Sequence, residues 1–436
     1  MKKVLLIAMV VLLMGGFTIT GFAQKVKPPP EKVVEVTVGS MRDYTGAIAA
    51  TALAIWRGYD WYRGWLEAND PIPGVKVKDI WEDTAYSAER YLPAYKKFKE
   101  AGAVLMLNSS STANSVLGEL YRADKIPLIT PGCGYVYGFF PKDIKTKGSS
   151  YLFFDRPPYP DAFVTGAMHF LKKWKEAGFK EKPKAVFTGW DAPYPRGPIE
   201  LATPYLTEQG FEMLTPEIYA VTATDLSTQV FSMKKGGANL IMSNVTEKFA
   251  AMLLKDVRKA GMEMGIGPGK VIIMGGSEVP KESVVAMAGR DATEGAWAVL
   301  SYPDFTRDDF KCVKLIKEFQ MKNLGKIDED SSYFMGMVYA HLLWGSLKHI
   351  VSKYGRENIT RTNIYKTLIE LRDFDMIGLG PKFSYGEYER RPFKQYLVHT
   401  CKDGRWVQLT PKYIDLVWLV PEWEEAGLPG YKVKKK

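Results

Sequence analysis

The chain has 436 residues, of which 46% are hydrophobic and 25% are charged, and its formal net charge is +10. This length is sufficient for two domains, each with its own hydrophobic core. Part of the excess charge belongs to Lys2, Lys3 and the lysines of the last five residues. The remaining charge is too small and too dispersed to indicate nucleic-acid binding.

The amino terminus has the pattern of a secretory signal. Two lysines precede an apolar run over residues 4–17, and small residues follow at Gly21 and Ala23. We therefore expect cleavage after Ala23, which makes residues 1–23 a signal peptide and the mature protein periplasmic. An uncleaved membrane anchor is the alternative, because the apolar segment is nearly long enough to span a bilayer. Three consecutive prolines then predict a stiff linker over residues 24–32.

Strand-like and helix-like segments alternate along the rest of the chain. The first series reads as strand 33–41, helix 49–68, strand 75–83, helix 88–102, strand 103–108, helix 115–124 and strand 126–132. The second reads as helix 162–178, strand 183–190, helix 197–210, strand 211–220, helix 227–237, strand 238–245, helix 248–262 and strand 270–278. This alternation predicts parallel sheets covered by helices on both faces.

The last part of the chain returns to the same mixture of elements. It reads as strand 295–302, helices 310–322, 333–354 and 363–371, and a hairpin over residues 393–409. Asp403-Gly404 is a strong signal for a tight turn between the two strands of that hairpin.

A serine loop follows the buried strand that ends at Leu107. Ser109, Ser110 and Ser111 stand between this strand and the next helix-like segment. Unpaired N–H groups and the helix dipole favour an anion at such a position, and hydroxyl groups can complete its hydrogen bonds. The loop therefore suits a small carboxylate, although simple capping of the helix explains the serines equally well.

Enzyme motifs are absent from the sequence. The glycine-rich segment 132–138 has the wrong spacing for a dinucleotide fingerprint, and segment 265–271 lacks the residues of a phosphate loop. No GxSxG or HExxH motif is present. Cys133, Cys312 and Cys401 are too widely spaced for a metal motif, and their odd number leaves at least one thiol free. We expect no catalysis, no cofactor and no metal.

The order of several short motifs resembles a known family. These motifs are DYTG (43–46), WEDTAYSAERYLPAYKKF (81–98), NSSSTANSV (108–116), IPLITPG (126–132), YLFFDRPPYPDAFVTG (151–166), AGRDATEGAWAV (288–299) and GLGPKFSYGEYERRPFKQYLVHTCKDGRWV (378–407). Together they resemble the type I periplasmic solute-binding proteins of ABC importers, in the branch that includes the leucine/isoleucine/valine-binding proteins. The resemblance covers nearly all of the mature chain.

The resemblance implies an α/β fold of two Rossmann-like lobes with parallel-sheet cores, joined by a three-crossover hinge that closes on a ligand. Lobe 1 would comprise residues 33–155 and 301–391. Lobe 2 would comprise residues 156–300 and 392–425, and residues 426–436 would form a basic tail.

The family pattern also implies the ligand-binding residues. The three serines would hold a carboxylate, and lobe 2 would supply an aromatic cover and polar groups. The residues of lobe 1 implied in this way, besides the serines, are Thr45, Thr130, Gly132 and Cys133. Those of lobe 2 are Trp190, Tyr194, Asn244, Thr246, Ser277 and Glu278.

One position departs from the family pattern. Amino-acid binders of the family have a glutamate where this chain has Ser277, and Glu278 follows one residue later. Because a shift of one residue can turn a side chain away in extended backbone, recognition of an α-amino group stays open.

The implied function is capture of a small solute and its delivery to ABC permease subunits in the inner membrane, by a monomer without enzymatic activity. A branched-chain or other amino acid is the first ligand class. Aromatic or aliphatic carboxylic acids or amides are the alternative, and a soluble ligand sensor with the same fold is another.

Overall fold

The structure is a computed structural model that describes residues 33–132 and 148–416. The predicted signal peptide, the linker, Cys133 and the basic tail lie outside the described residues. In the described ranges no helix is long and apolar enough to cross a membrane.

The described residues form fifteen strands and twelve α-helices. The strands are β1 Val34–Arg42, β2 Val75–Asp83, β3 Leu105–Asn108, β4 Leu128–Thr130, β5 Leu152–Phe154, β6 Lys184–Trp190, β7 Glu212–Met213, β8 Glu217–Tyr219, β9 Leu240–Ser243, β10 Glu263–Met264, β11 Lys270–Gly275, β12 Trp297–Leu300, β13 Gln395–Lys402, β14 Arg405–Gln408 and β15 Ile414–Asp415. The helices are α1 Ala49–Asn69, α2 Ala88–Glu100, α3 Ser111–Ala123, α4 Tyr159–Glu176, α5 Pro193–Gln209, α6 Ser227–Gly236, α7 Glu247–Lys259, α8 Glu282–Ala288, α9 Arg290–Thr293, α10 Lys311–Leu324, α11 Ser332–Tyr354 and α12 Arg361–Glu370.

The first sheet is parallel and has the order β2-β1-β3-β4-β5. Strands β3, β4 and β5 are buried on both faces, whereas the edge strand β2 is largely half-buried or exposed. Leu105 and Leu107 of β3 pack with α1 and α11, whereas Met106 between them packs on the opposite face with α2 and α3. A parallel sheet covered on both faces is what the alternation of elements predicts.

The second sheet is mixed and has the main order β14-β13-β12-β11-β9-β6-β7, with β8, β10 and β15 paired to its inner strands. Strands β6, β9, β11 and β12 are parallel, and β13 pairs antiparallel with β12 and with β14. Asp403 and Gly404 form the predicted turn of the β13–β14 hairpin with φ angles of 53° and 76°. The two sheets confirm the predicted α/β class.

The path of the chain connects the two sheets more than once. It passes from β5 of the first sheet to β6 of the second, and after β12 it returns, because α10 and α11 share a hydrophobic core with β1 and β3. It then enters the second sheet again at β13. The predicted limits of the two lobes remain predictions.

The sequence prediction omits the short elements β5, β10, β15, α8 and α9, and two predicted elements differ for a clear reason. The strand expected over residues 211–220 is divided into β7 and β8, because Pro216 lies between them and has no N–H for a strand ladder. Helix α3 begins at Ser111 instead of Ser115, because Ser110 caps it.

Candidate functional site

A small cavity lies where the carboxyl ends of the two sets of parallel strands face each other. Its lining comes from the segments that follow β1, β2, β3 and β5 of the first sheet, β6, β9 and β11 of the second, and the start of α11. The lining residues are Ile48, Thr51, Ile55, Tyr86, Ser109, Ser111, Arg156, Tyr159, Tyr194, Thr246, Glu278 and Met335. The carboxyl ends of parallel strands are the usual binding edge of α/β sheets.

The structure divides the serine loop into two roles. Ser109 and Ser111 line the cavity, and the Oγ of Ser109 is buried without a hydrogen-bond partner among the described residues. Ser110 is instead the N-cap of α3, and its Oγ accepts a hydrogen bond of 3.1 Å from the Ala113 N–H. The structure therefore confirms capping for Ser110, and carboxylate binding by Ser109 and Ser111 stays a prediction.

A buried tyrosine and aspartate support the serine loop from behind. The hydroxyl of Tyr91 donates to Ser110 Oγ at 2.8 Å and lies 3.3 Å from the carboxylate of Asp43. Burial raises the pKa of Asp43 to about 6, although hydrogen bonds from Thr84, Tyr86 and Tyr91 oppose the increase. These contacts fix the backbone from which Ser109 points into the cavity.

The second sheet contributes Tyr194, Thr246 and Glu278 to the lining. The Tyr194 side chain is 7% exposed, and its hydroxyl has no hydrogen-bond partner in the described part of the chain. Glu278 is also 7% exposed, and Lys281 Nζ lies 2.8 Å from its Oε2. The second sheet thus adds two neutral and one charged polar side chain to the lining.

Arg156 is the main lining residue that sequence reasoning missed as a ligand contact. It is 5% exposed; its Nη1 donates to the Tyr302 hydroxyl at 3.2 Å, and its Nη2 lies 3.4 Å from Met335 Sδ. Burial disfavours its charge, but the carboxylate of Asp155 and nearby phenols outweigh this, and the pKa of Arg156 is raised well above its usual value. One signal for it was present in the sequence, namely that a charged residue directly follows the buried segment LFFD (152–155).

The other lining residues that the sequence did not indicate are the polar Thr51 and five apolar or aromatic residues. Ile48, Ile55 and Met335 form an apolar wall, and Tyr86 and Tyr159 add aromatic rings. Nothing in their sequence spacing distinguishes them from ordinary core residues, because they meet only when α1, α11 and the loops after β2 and β5 are packed together.

Three predicted residues of the first sheet lie away from the cavity lining. Thr130 is fully buried, and its Oγ1 is engaged with the side chains of Asn108 and Asn114 at 2.7–3.0 Å. Thr45 is exposed and donates to Asp83, and the N–H of Gly132 donates to Asp155 at 3.2 Å. These polar groups hold loops in place in this structure.

Three predicted residues of the second sheet also lie behind the lining. Trp190 packs against Tyr194 and Phe249, with ring centroids 5.8 and 4.9 Å apart. Asn244 donates from Nδ2 to the Tyr194 carbonyl at 2.7 Å, and Ser277 Oγ donates to Glu278 at 3.1 Å. All three therefore contact residues that line the cavity.

The space inside the cavity is limited. The volume open to the centres of water molecules is about 30 Å³, enough for ~2 ordered waters. An occupant larger than that needs the two sides to move apart. A larger cavity of about 270 Å³ lies around His399 and Trp406, and it contains none of the residues predicted to bind ligand.

No group of three or more His, Cys, Asp or Glu side chains within residues 33–132 and 148–416 is arranged to hold a metal ion. Cys312 and Cys401 are buried free thiols. The chemistry of the cavity is therefore that of hydrogen bonds, two charges and an apolar wall.

A family model described as "Periplasmic binding protein" matches residues 35–405. The chain belongs to this family. The match includes every element that lines the cavity, so the resemblance seen in the short motifs is confirmed. Comparison of this periplasmic binding protein with curated proteins gives no match.

Solved structures show the same fold at low sequence identity. A branched-chain amino acid ABC transporter protein from Thermus thermophilus with bound valine has a TM-score of 0.74 at 19% identity, covering 88% of this chain and 97% of its own. A fatty acid ABC transporter substrate-binding protein from Thermomonospora curvata gives 0.71 at 18%, covering 89% and 95%. A solute-binding protein from R. palustris in complex with benzoate gives 0.68 at 17%, covering 88% and 98%. These neighbours establish the two-lobed fold of this periplasmic binding protein.

Proposed function

We propose that this periplasmic binding protein is the solute-binding subunit of an ABC importer. It captures a small carboxylate-bearing solute between its lobes in the periplasm and delivers it to permease subunits in the inner membrane. It acts as a monomer and catalyses no reaction. The amino-terminal signal pattern and the family membership support the location, and the ABC transporter proteins among the structural neighbours support the transport role.

The observation that carries this proposal is a pair of unsatisfied polar groups. Ser109 Oγ and the Tyr194 hydroxyl are both buried, both lack a partner among the described residues, and both line the cavity from opposite sheets. Buried polar groups are nearly always hydrogen-bonded, so such a pair is expected where a ligand supplies the missing partner. Because each group belongs to a different lobe, one ligand engages both only when the lobes are closed.

Thermal unfolding of the mature protein tests the proposal. The protein is stripped of carried-over ligand by denaturation and refolding, and is then mixed with amino acids, amides, and aliphatic or aromatic carboxylates. A ligand at a hundred times its dissociation constant adds about 2.7 kcal/mol to stability, a shift of a few degrees for a chain of this size. A panel without any shift would contradict the proposal.

The serine loop offers a matched pair of variants for the same test. Ser109→Ala together with Ser111→Ala should weaken binding by about 1.5–3 kcal/mol for each hydrogen bond lost to a charged group, measured by calorimetric titration. Ser110→Ala removes the cap of α3, so it should lower the free energy of unfolding by about 1 kcal/mol and change affinity much less. Equal affinity in the double variant and the wild type would refute the carboxylate assignment.

A further inference from the structure

The cavity is lined by two charged side chains, which have different surroundings. Arg156 comes from the segment after β5 of the first sheet, and Glu278 from the segment after β11 of the second. Each is almost completely buried. The two charges differ in how far the protein already fills their hydrogen-bonding positions.

Glu278 already has a cation. Lys281 Nζ lies 2.8 Å from Glu278 Oε2, and the hydroxyls of Ser277 and Ser332 lie 3.1 and 3.3 Å from its two oxygens. Burial alone would raise the pKa of Glu278, but Lys281 and Arg156 outweigh burial and lower it. The carboxylate is therefore ionised, and three donors from the protein already surround it.

Lys281 is held firmly in this position. Its side chain is 1% exposed, and its Nζ also lies 2.6 Å from Glu247, 3.3 Å from Asp330 and 3.1 Å from Thr51 Oγ1. Moving this ammonium aside would leave three carboxylates without their common cation in a buried place, which is strongly unfavourable. Glu247 and Asp330 do not line the cavity, so they offer nothing to a ligand.

A ligand ammonium would have to share Glu278 with Lys281. Two like charges a few ångströms apart in a dry site disfavour each other. The Lys281 ammonium thus occupies the carboxylate that the amino group of an amino acid would need.

Arg156 also has a counter-ion, the buried Asp155, but no hydrogen bond joins the two side chains. Its guanidinium carries five N–H donors, yet its hydrogen bonds go to the Tyr302 hydroxyl and the Met335 sulfur, and its Nε lies 3.6 Å from Asp155 without a hydrogen bond. A planar guanidinium suits a carboxylate, which can accept two parallel hydrogen bonds from it. Ser109 Oγ lines the same cavity and also lacks a partner in the described ranges.

We propose that the ligand is a small carboxylic acid without an α-amino group, bound through its carboxylate by Arg156 and Ser109. Lys281 excludes amino acids by pairing with Glu278. The walls formed by Ile48, Ile55 and Met335 receive a short aliphatic or single-ring aromatic tail. This inference rests on the proposed function, because it names the class of solute that the same site captures.

Calorimetric titration of ligand-stripped protein with matched pairs tests the ligand class. The pairs are 4-methylpentanoate with leucine and 3-phenylpropanoate with phenylalanine, which differ only in the amino group. At least one acid should bind about tenfold or more tightly than its amino acid, as expected for one unfavourable buried charge. Tighter binding of the amino acids would overturn the inference and leave the proposed function intact. Binding of neither member of either pair would overturn the proposed carboxylate capture itself and this inference with it.

Two conservative variants separate the roles of the charges. Glu278→Gln removes a negative charge from the cavity lining, so affinity for the acid should increase; a loss near tenfold, expected for a charged hydrogen bond to the ligand, would contradict the inference. Arg156→Lys keeps the positive charge but loses the planar guanidinium that donates two parallel hydrogen bonds. Affinity for the acid should therefore fall about tenfold or more. Unchanged affinity in this variant would also contradict the inference.

Arg390→Lys is the matched control for Arg156→Lys. Arg390 is a buried arginine whose donors reach the carbonyls of Ser150 and Gly386, and it does not line the cavity. This variant should bind the acid as the wild type does. Thermal midpoints of both arginine variants, measured without ligand, show whether a loss of affinity follows from a loss of folding.

Discussion

At the scale of single residues, the same side-chain type takes different roles within a few positions. Ser109 and Ser111 face the cavity whereas Ser110 caps α3, because the N-cap must accept a hydrogen bond from the third residue after it. The sequence shows three serines at a helix start but not the residue at which the helix begins. That residue is decided by tertiary contacts such as the one from Tyr91.

A buried aspartate gives a residue-scale prediction on pH dependence. Asp161 in α4 is 1% exposed, and burial raises its pKa to about 7, although Arg391 at 3.5 Å opposes the increase. The unfolded value is about 3.9. Between these pH values the folded protein keeps a proton that the unfolded chain has released, so this group's contribution to stability falls as the pH rises through about 7.

Asp161→Asn should remove this loss of stability with rising pH. The free energy of unfolding of the variant, relative to wild type, should increase between pH 5 and pH 7 by as much as about 1.4 kcal/mol per pH unit. Urea unfolding at several pH values measures the difference. Asp225→Asn is the control, because Asp225 has a lowered pKa and is ionised in both states over this range. A constant difference between Asp161→Asn and wild type would refute the prediction.

At the scale of elements, helices α1 and α11 form the closest helix pair around the first sheet. Two glycines make this approach possible: a Cβ at Gly58 would overlap the Tyr333 carbonyl oxygen, and a Cβ at Gly336 would overlap the Ile55 carbonyl oxygen. Gly64 lies in the same helix α1, but a Cβ there would meet nothing within 4 Å. Alanine substitutions at Gly58 and Gly64 therefore distinguish the effect of helix packing from that of helix propensity.

Gly58→Ala and Gly64→Ala should change stability in opposite directions. Gly58→Ala forces the two backbones apart, and overpacking of this kind costs about 1–3 kcal/mol. Gly64→Ala gains about 0.5–1 kcal/mol, because alanine loses less conformational entropy in a helix than glycine. Urea unfolding gives both values. A stabilising Gly58→Ala would show that α1 and α11 lie further apart than described here.

The elements themselves were largely predictable, and the site was predictable only in part. Alternation of apolar segments predicted α1, α11 and the parallel strands, because burial on both faces leaves a clear pattern. Asp403-Gly404 predicted the hairpin turn, because these residue types tolerate the positive φ angles that a two-residue turn requires. Arg156 and Lys281 were missed as site residues, because a single charged residue in a loop carries no spacing signal. Some of their contacts also come from distant segments, such as Tyr302 for Arg156 and Glu247 for Lys281.

At the scale of the whole molecule, the two sides of the cavity are joined by buried polar contacts. Thr51 of α1 donates to Glu247 of α7 at 2.8 Å, and Ser331 before α11 donates to the Ser277 carbonyl at 3.2 Å. Both bonds connect an element of the first sheet's core with one of the second sheet. In a fold that closes by a hinge, such bonds favour the closed state over the open one.

Thr51→Val and Ser331→Ala should therefore shift the protein towards the open state. Each variant removes one hydrogen bond, worth about 1.5–3 kcal/mol for Thr51 with its charged partner and about 1 kcal/mol for Ser331. The radius of gyration in small-angle X-ray scattering without ligand should increase, and affinity should fall in proportion to the closed fraction. Ser331 does not line the cavity, so a loss of affinity in that variant cannot come from a lost ligand contact.

Thr207→Val is the control. It removes a surface hydrogen bond within α5, so it should change neither the radius of gyration nor the affinity. If both closure variants scatter as the wild type does, these bonds do not control closure, and the hinge itself sets the balance between open and closed states.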